Sequence, residues 1–241
     1  MENPSYLSDK AINVDERLIF ALDFESHDAA KSMVSTLGEA VQFYKLGLEL
    51  FMAGEYFDLV SWLVDQGKKV FVDLKFFDVP QTVGAAVRQL RNKRATFATV
   101  HGNDAILRAA AQEKEALKIL AVTVLTSLDQ GDLTDLGFAC NVEDLVLSRT
   151  KRALQLGCDG VISSGLEARA LRGSLGANFL VVTPGIRPVA NTDDQKRTVN
   201  IEQAFVNGAD YIVVGRPIKQ APDPYAAACE FQQRIRTVFG S

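Results

Sequence analysis

The chain has few of the residues that mark a metal centre, a redox pair or a membrane span. It holds two histidines in 241 residues, His27 and His101, and they form no metal-ligand pattern. Three cysteines, Cys140, Cys158 and Cys229, are odd in number, widely separated and outside any paired motif, which points to a reduced, cytoplasmic protein rather than a disulfide framework. No apolar run approaches the ~20 residues of a spanning helix, and Met1 to Arg17 lacks the basic end and apolar stretch of a secretion signal. An excess of one charge is missing too. Lys and Arg number 26 against 30 Asp and Glu, a formal −4 with the signs interspersed, which argues against an extended nucleic-acid surface. One small anion is still allowed, because a few arginines and backbone amides can hold a phosphate locally.

A glycine is missing where a dinucleotide fold would need it. Leu18 to Ser26 reads as a first strand and its turn, yet contains none, which excludes the Gly-rich fingerprint of nicotinamide and flavin enzymes. Eight short segments rich in Val, Ile, Leu and Phe recur along the chain: 18–24, 44–48, 69–74, 97–101, 119–126, 160–163, 179–182 and 211–214. Helical punctuation lies between them. Asp223 with Pro224 starts a helix whose apolar face is Ala228, Phe231, Ile235 and Val238; 201–207 reads as a helix stopped by Gly208; and 141–156 as one whose face Arg149 interrupts. Eight strand–helix units in a chain near the ~250 residues usual for the architecture predict one closed barrel rather than an open doubly wound sheet.

Charge intrudes on the third of these strands. The segment from Val72 to Thr82 puts Asp73 and Lys75 on one strand face, their backbones about 7 Å apart, with Asp78 just beyond, where the chain turns. Each buried ion carries an effective penalty of several kcal/mol unless partners compensate it. An alternating acid and base in a core strand is therefore either a structural ion pair or a reaction centre. Other strand ends carry polar groups too: Asp23 on the first, Lys45 on the second, His101 on the fourth, Thr126 and Ser127 on the fifth. Such ends form the catalytic face of a barrel, although Asp23 also suits a helix cap, Lys45 a solvated end and His101 a satisfied structural position. After the seventh strand come Thr183 to Pro188, and after the eighth Gly215, Arg216 and Pro217, where barrels commonly hold a phosphate. The polar stretch about 186–198, with Arg187 and Gln195, reads as a lid.

With these residues placed, nearly the whole chain resembles the bacterial-type orotidine 5′-phosphate decarboxylases. The resemblance rests on Ala21-Leu22-Asp23, Lys45, Asp73 to Thr82, Val122 to Ser127, Thr183 to Arg187, Gln195, and Gly215 with Arg216, all in family order. It implies a single-domain (β/α)8 TIM barrel, 1–241, with a polar N-terminal segment about 1–17. The implied reaction is decarboxylation of orotidine 5′-monophosphate to uridine 5′-monophosphate and CO2, without cofactor or metal, in a homodimer with no nucleic-acid or membrane partner. Lys75 would stabilise the carbanion and donate the proton; Lys45 and Asp78 would hold Lys75 charged and aimed; Asp73 would face the departing carboxylate. Asp23 and Lys45 would bind the ribose, Thr126 the region near the pyrimidine, and Arg187, Gln195, Gly215 and Arg216 the phosphate. Asp78 and Thr82 would complete the partner's site. Phe77 and Gln81 depart from the histidine and asparagine of many relatives, and paired glycines often found after His101 are missing; neither change removes a charge. The rival readings are a magnesium-dependent decarboxylase or aldolase of phosphorylated keto sugars on the same barrel, and a non-catalytic phosphate-binding barrel.

Overall fold

The structure, a computed structural model, describes residues 5–186 and 199–240. Eight parallel strands close on themselves in sequence order: β1 (Leu18–Ala21), β2 (Phe43–Leu46), β3 (Lys69–Phe76), β4 (Phe97–Val100), β5 (Lys118–Val122), β6 (Gly160–Ile162), β7 (Leu180–Thr183) and β8 (Tyr211–Val214). Helices return the chain between strands on the outside. The last is capped as the sequence suggests: Asp223 accepts from the amide of Ala226 at 2.9 Å to open helix Pro224–Phe239. Asn141 and Asn200 do the same for helices Val142–Gln155 and Ile201–Val206. Arg149 does interrupt an apolar face, and it has a use there: it donates to the Thr123 carbonyl at 2.9 Å.

Several strands end earlier than apolar composition suggests. β1 stops at Ala21 rather than Phe24, because its last pairings are Ala21 with Lys45 and Phe20 with Val214. β5 stops at Val122 because its neighbours run out there, Ala121 against Val100 and Val122 against Ile162; Thr126 therefore sits in the following turn, not in the strand. β2 is shifted back by Gly47, which opens the short helix Leu48–Met52. β3 runs longer than expected, to Phe76, through an irregularity between Val72 and Phe76.

Alternation along the strands fills the barrel in layers. Phe43, Phe71, Phe97 and Tyr211 pack inside as one cluster, with ring centroids 5.0 Å apart for Phe43 and Phe97 and 5.2 Å for Phe97 and Tyr211. Two residues further along each strand, Lys45, Asp73 and Thr99 stand above this floor, toward the carboxyl ends.

The opposite end is closed by a buried carboxylate. Asp210 is wholly buried and its carboxylate accepts from four donors: Ser8 Oγ at 2.6 Å, Lys10 Nζ at 3.0 and 3.3 Å, Arg172 at 2.7 Å and the Val181 amide at 2.9 Å. It joins the N-terminal segment, the entry to β7 and the helix Ala168–Leu175. Removing one partner of such a group leaves the others desolvated and uncompensated. Asp210→Ala is expected to lower the unfolding free energy by about 3–5 kcal/mol, measurable as a lower denaturant midpoint; a loss under about 1 kcal/mol, the size of a surface pair, would refute the assignment.

Candidate active site

Four strand ends converge on one row of charges. Lys45 Nζ lies 3.4 Å from Asp23 Oδ1 on one side and 3.4 Å from Asp73 Oδ2 on the other. Asp73 Oδ1 accepts from Lys75 Nζ at 2.9 Å and from the Thr99 hydroxyl at 2.9 Å. The signs thus alternate, Asp23, Lys45, Asp73, Lys75, above the aromatic floor. Burial pulls the Lys45 ammonium down, but Asp73 and Asp23 outweigh it and hold it above the ordinary lysine range. Burial pushes the Asp73 carboxyl up, yet Lys45, Lys75 and the bonds from Lys75 and Thr99 hold it below the usual carboxylate range. With a depressed folded value, the stability due to Asp73 is complete above about pH 3.9 and fades as pH falls through that value. With a raised one, that due to Lys45 is complete below about pH 10.4 and fades above. The Lys45–Asp73 pair is therefore fully charged near neutrality.

The row forms one wall of a cavity of about 280 Å³ among the described residues. Asp23, Lys45, Asp73 and Lys75 line it together with Thr126, Ser127, Pro184, Gly185, Gly215 and Arg216. Side-chain exposure separates the two lysines: Lys45 is 13% exposed and Lys75 is 37%, so Lys75 is the more open of the two that line the cavity. Asp23 is no helix cap, since Ser26 caps helix His27–Leu37 by accepting from Ala29 at 3.3 Å. His101 is satisfied elsewhere: its Nδ1 donates to the Val122 carbonyl at 3.0 Å and its ring meets Phe77 edge-on. Asp78 and Thr82 are exposed and do not line the cavity of their own chain. Asp78 Oδ1 accepts from the Val79 amide at 2.6 Å, and Thr82 lies in the first turn of helix Pro80–Arg91. Arg187 and Gln195 lie outside the described residues, as does the expected lid apart from Ile186.

The profile of the Orotidine 5′-phosphate decarboxylase / HUMPS family matches residues 16–231. The chain belongs to that family. Within it, the chain is 62% identical over 240 residues to an orotidine 5′-phosphate decarboxylase of Methylococcus capsulatus, covering 99% of both. It is 48% identical over 230 residues to that of Stenotrophomonas maltophilia, covering 94% of this chain and 95% of the relative. The crystal structure of orotidine 5′-phosphate decarboxylase from Lactobacillus acidophilus superposes with a TM-score of 0.81 at 36% identity, covering 94% of this chain and all (100%) of the other.

Two features of this family member escape a reading of its residues in order. Lys75 has φ +49°, in the left-handed region that costs a non-glycine residue of order 1–2 kcal/mol. It sits inside the β3 irregularity, where Val72 pairs with Ala98 and Phe76 with Val100, so that three residues, 73–75, stand opposite Thr99 alone. Thr99 is the second. It is fully buried and bonded to Asp73, but a threonine inside a strand reads as an ordinary β-former.

Proposed function

We propose that the chain decarboxylates orotidine 5′-monophosphate to uridine 5′-monophosphate and CO2, in pyrimidine biosynthesis, without a cofactor. One observation carries the mechanism: Lys75, anchored on Asp73 at 2.9 Å, is the more exposed of the two lysines that line the cavity. When the carbon–carbon bond breaks, CO2 departs and its electron pair stays on a ring carbon that cannot spread it as an enolate would. The Lys75 ammonium stabilises that charge and then gives its proton to the carbon, leaving an amine that solvent reprotonates. Asp73 faces the departing carboxylate and Lys45 keeps the row balanced. Asp23 and Lys45 take ribose hydroxyls, and Thr126 the region near the pyrimidine. Gly215 and Arg216 hold the phosphate with Arg187 and Gln195, and 186–198 serves as the lid of the single domain.

A homodimer completes the site. Large apolar side chains lie exposed on the segments that follow β2 and β3: Leu48, Phe51, Met52, Phe57, Phe77 and Val79. Such a concentration is characteristic of a surface that meets a partner. Asp78 and Thr82 belong to the same segments, so a second copy there would receive them into its cavity. Cytoplasmic residence accords with the three free cysteines.

The magnesium-dependent alternative is separated by a single comparison. Both Asp73 oxygens already face ammonium groups, so a divalent cation on Asp73 would have to displace one of them. Turnover of orotidine 5′-monophosphate is expected to be unchanged in excess chelator. Activity that disappears with the metal and returns on adding magnesium would overturn this reading.

A further inference from the structure

We propose that Thr99 is a positioning residue that fixes Lys75 at both its root and its tip, an inference that rests on Lys75 being the proton donor. A threonine hydroxyl has one proton and two lone pairs. Here it accepts from the Lys75 backbone amide at 2.9 Å and donates to Asp73 Oδ1 at 2.9 Å. The same Oδ1 accepts from Lys75 Nζ at 2.9 Å. The bonds close a ring: Lys75 amide to Thr99, Thr99 to Asp73, and the Lys75 ammonium back to Asp73.

The ring occupies the place where the sheet cannot help. Lys75 lies between the last regular pairing of Val72 with Ala98 and the displaced pairing of Phe76 with Val100, so β4 supplies a side-chain oxygen to the Lys75 amide where the ladder is interrupted. It also stands in the left-handed region at φ +49°, a conformation that persists only when its surroundings over-determine it. Thr99 is wholly buried, does not line the cavity and so acts on the chemistry through Lys75 and Asp73 alone. A long, flexible lysine is thereby held at both ends, which is what a proton donor requires if its ammonium is to be aimed before the substrate arrives.

The test compares Thr99→Val, which keeps the shape and β-branching but loses the hydroxyl, with Thr99→Ser, which keeps the hydroxyl. Thr99→Val is expected to lower kcat for orotidine 5′-monophosphate roughly 10- to 100-fold, as for other small misplacements of a reacting group. KM and the Kd for uridine 5′-monophosphate should stay within about 3-fold, because uniform binding is untouched. Thr99→Ser should restore kcat to within about 3-fold of wild type even if it melts lower. A merely structural threonine would lower the melting temperature in both variants and leave kcat of the folded enzyme alone. If Thr99→Val folds poorly, Thr99→Cys, with its weak thiol donor, takes its place with the same expectation. Unchanged kcat in the hydroxyl-free variant, or equal losses in the valine and serine variants, overturns the inference while the proposed function stands. A wild type without turnover overturns both.

Discussion

Lys75→Ala is expected to lower kcat for orotidine 5′-monophosphate on the order of 10⁵-fold, the combined size of a lost general acid and a lost electrostatic stabiliser. The fold should survive the change. Asp73 keeps the Thr99 bond at 2.9 Å and Lys45 at 3.4 Å, so the carboxylate is not left without partners. Lys75 is also partly exposed, and its removal opens no cavity in the core. The variant should therefore give the circular dichroism and denaturation midpoint of a folded barrel and still bind uridine 5′-monophosphate, whose ribose and phosphate contacts come from other strands. Wild-type turnover in a folded Lys75→Ala protein would remove Lys75 as donor, whatever the substrate.

Mixing two inactive variants is expected to restore activity. If Asp78 serves the partner's site while Lys75 serves its own, Lys75→Ala and Asp78→Ala homodimers are each defective at both sites. In a hybrid, one site collects both substitutions and the other collects neither. Random reassortment of equal amounts makes half the dimers hybrid, each with one of two sites intact, so about a quarter of wild-type activity should return in an isologous dimer. The exposure of Asp78 and its absence from the cavity lining of its own chain support this arrangement. Activity that stays at the level of the separate variants after subunit exchange would place Asp78 outside the partner's site.

The legible part of the molecule is the part that composition makes unusual. Eight apolar segments separated by helical stretches specify the closed barrel, because most strand residues are buried on both faces and helix starts such as Asp223 carry a side-chain acceptor. Charges at Asp73 and Lys75 stand out because a core strand has little tolerance for them. What was illegible depends on neighbours distant in sequence. The early ends of β1 and β5 follow from where the flanking strands stop pairing, which no local propensity encodes. The irregularity at Lys75 leaves no mark in an alternating pattern. Asp210, between Ala209 and Tyr211, reads as an ordinary strand-entry polar residue until Ser8, Lys10 and Arg172 are brought around it from elsewhere in the chain. Thr99 is silent for the same reason, its meaning set by residues about two dozen positions earlier on the adjacent strand.

The charge row has a direct reading in one assay. Purified protein in excess chelator, given orotidine 5′-monophosphate and followed by ultraviolet absorbance with CO2 collected, should convert it fully to uridine 5′-monophosphate with one CO2 released per substrate. A folded protein that leaves the absorbance unchanged and releases no CO2 would contradict the account.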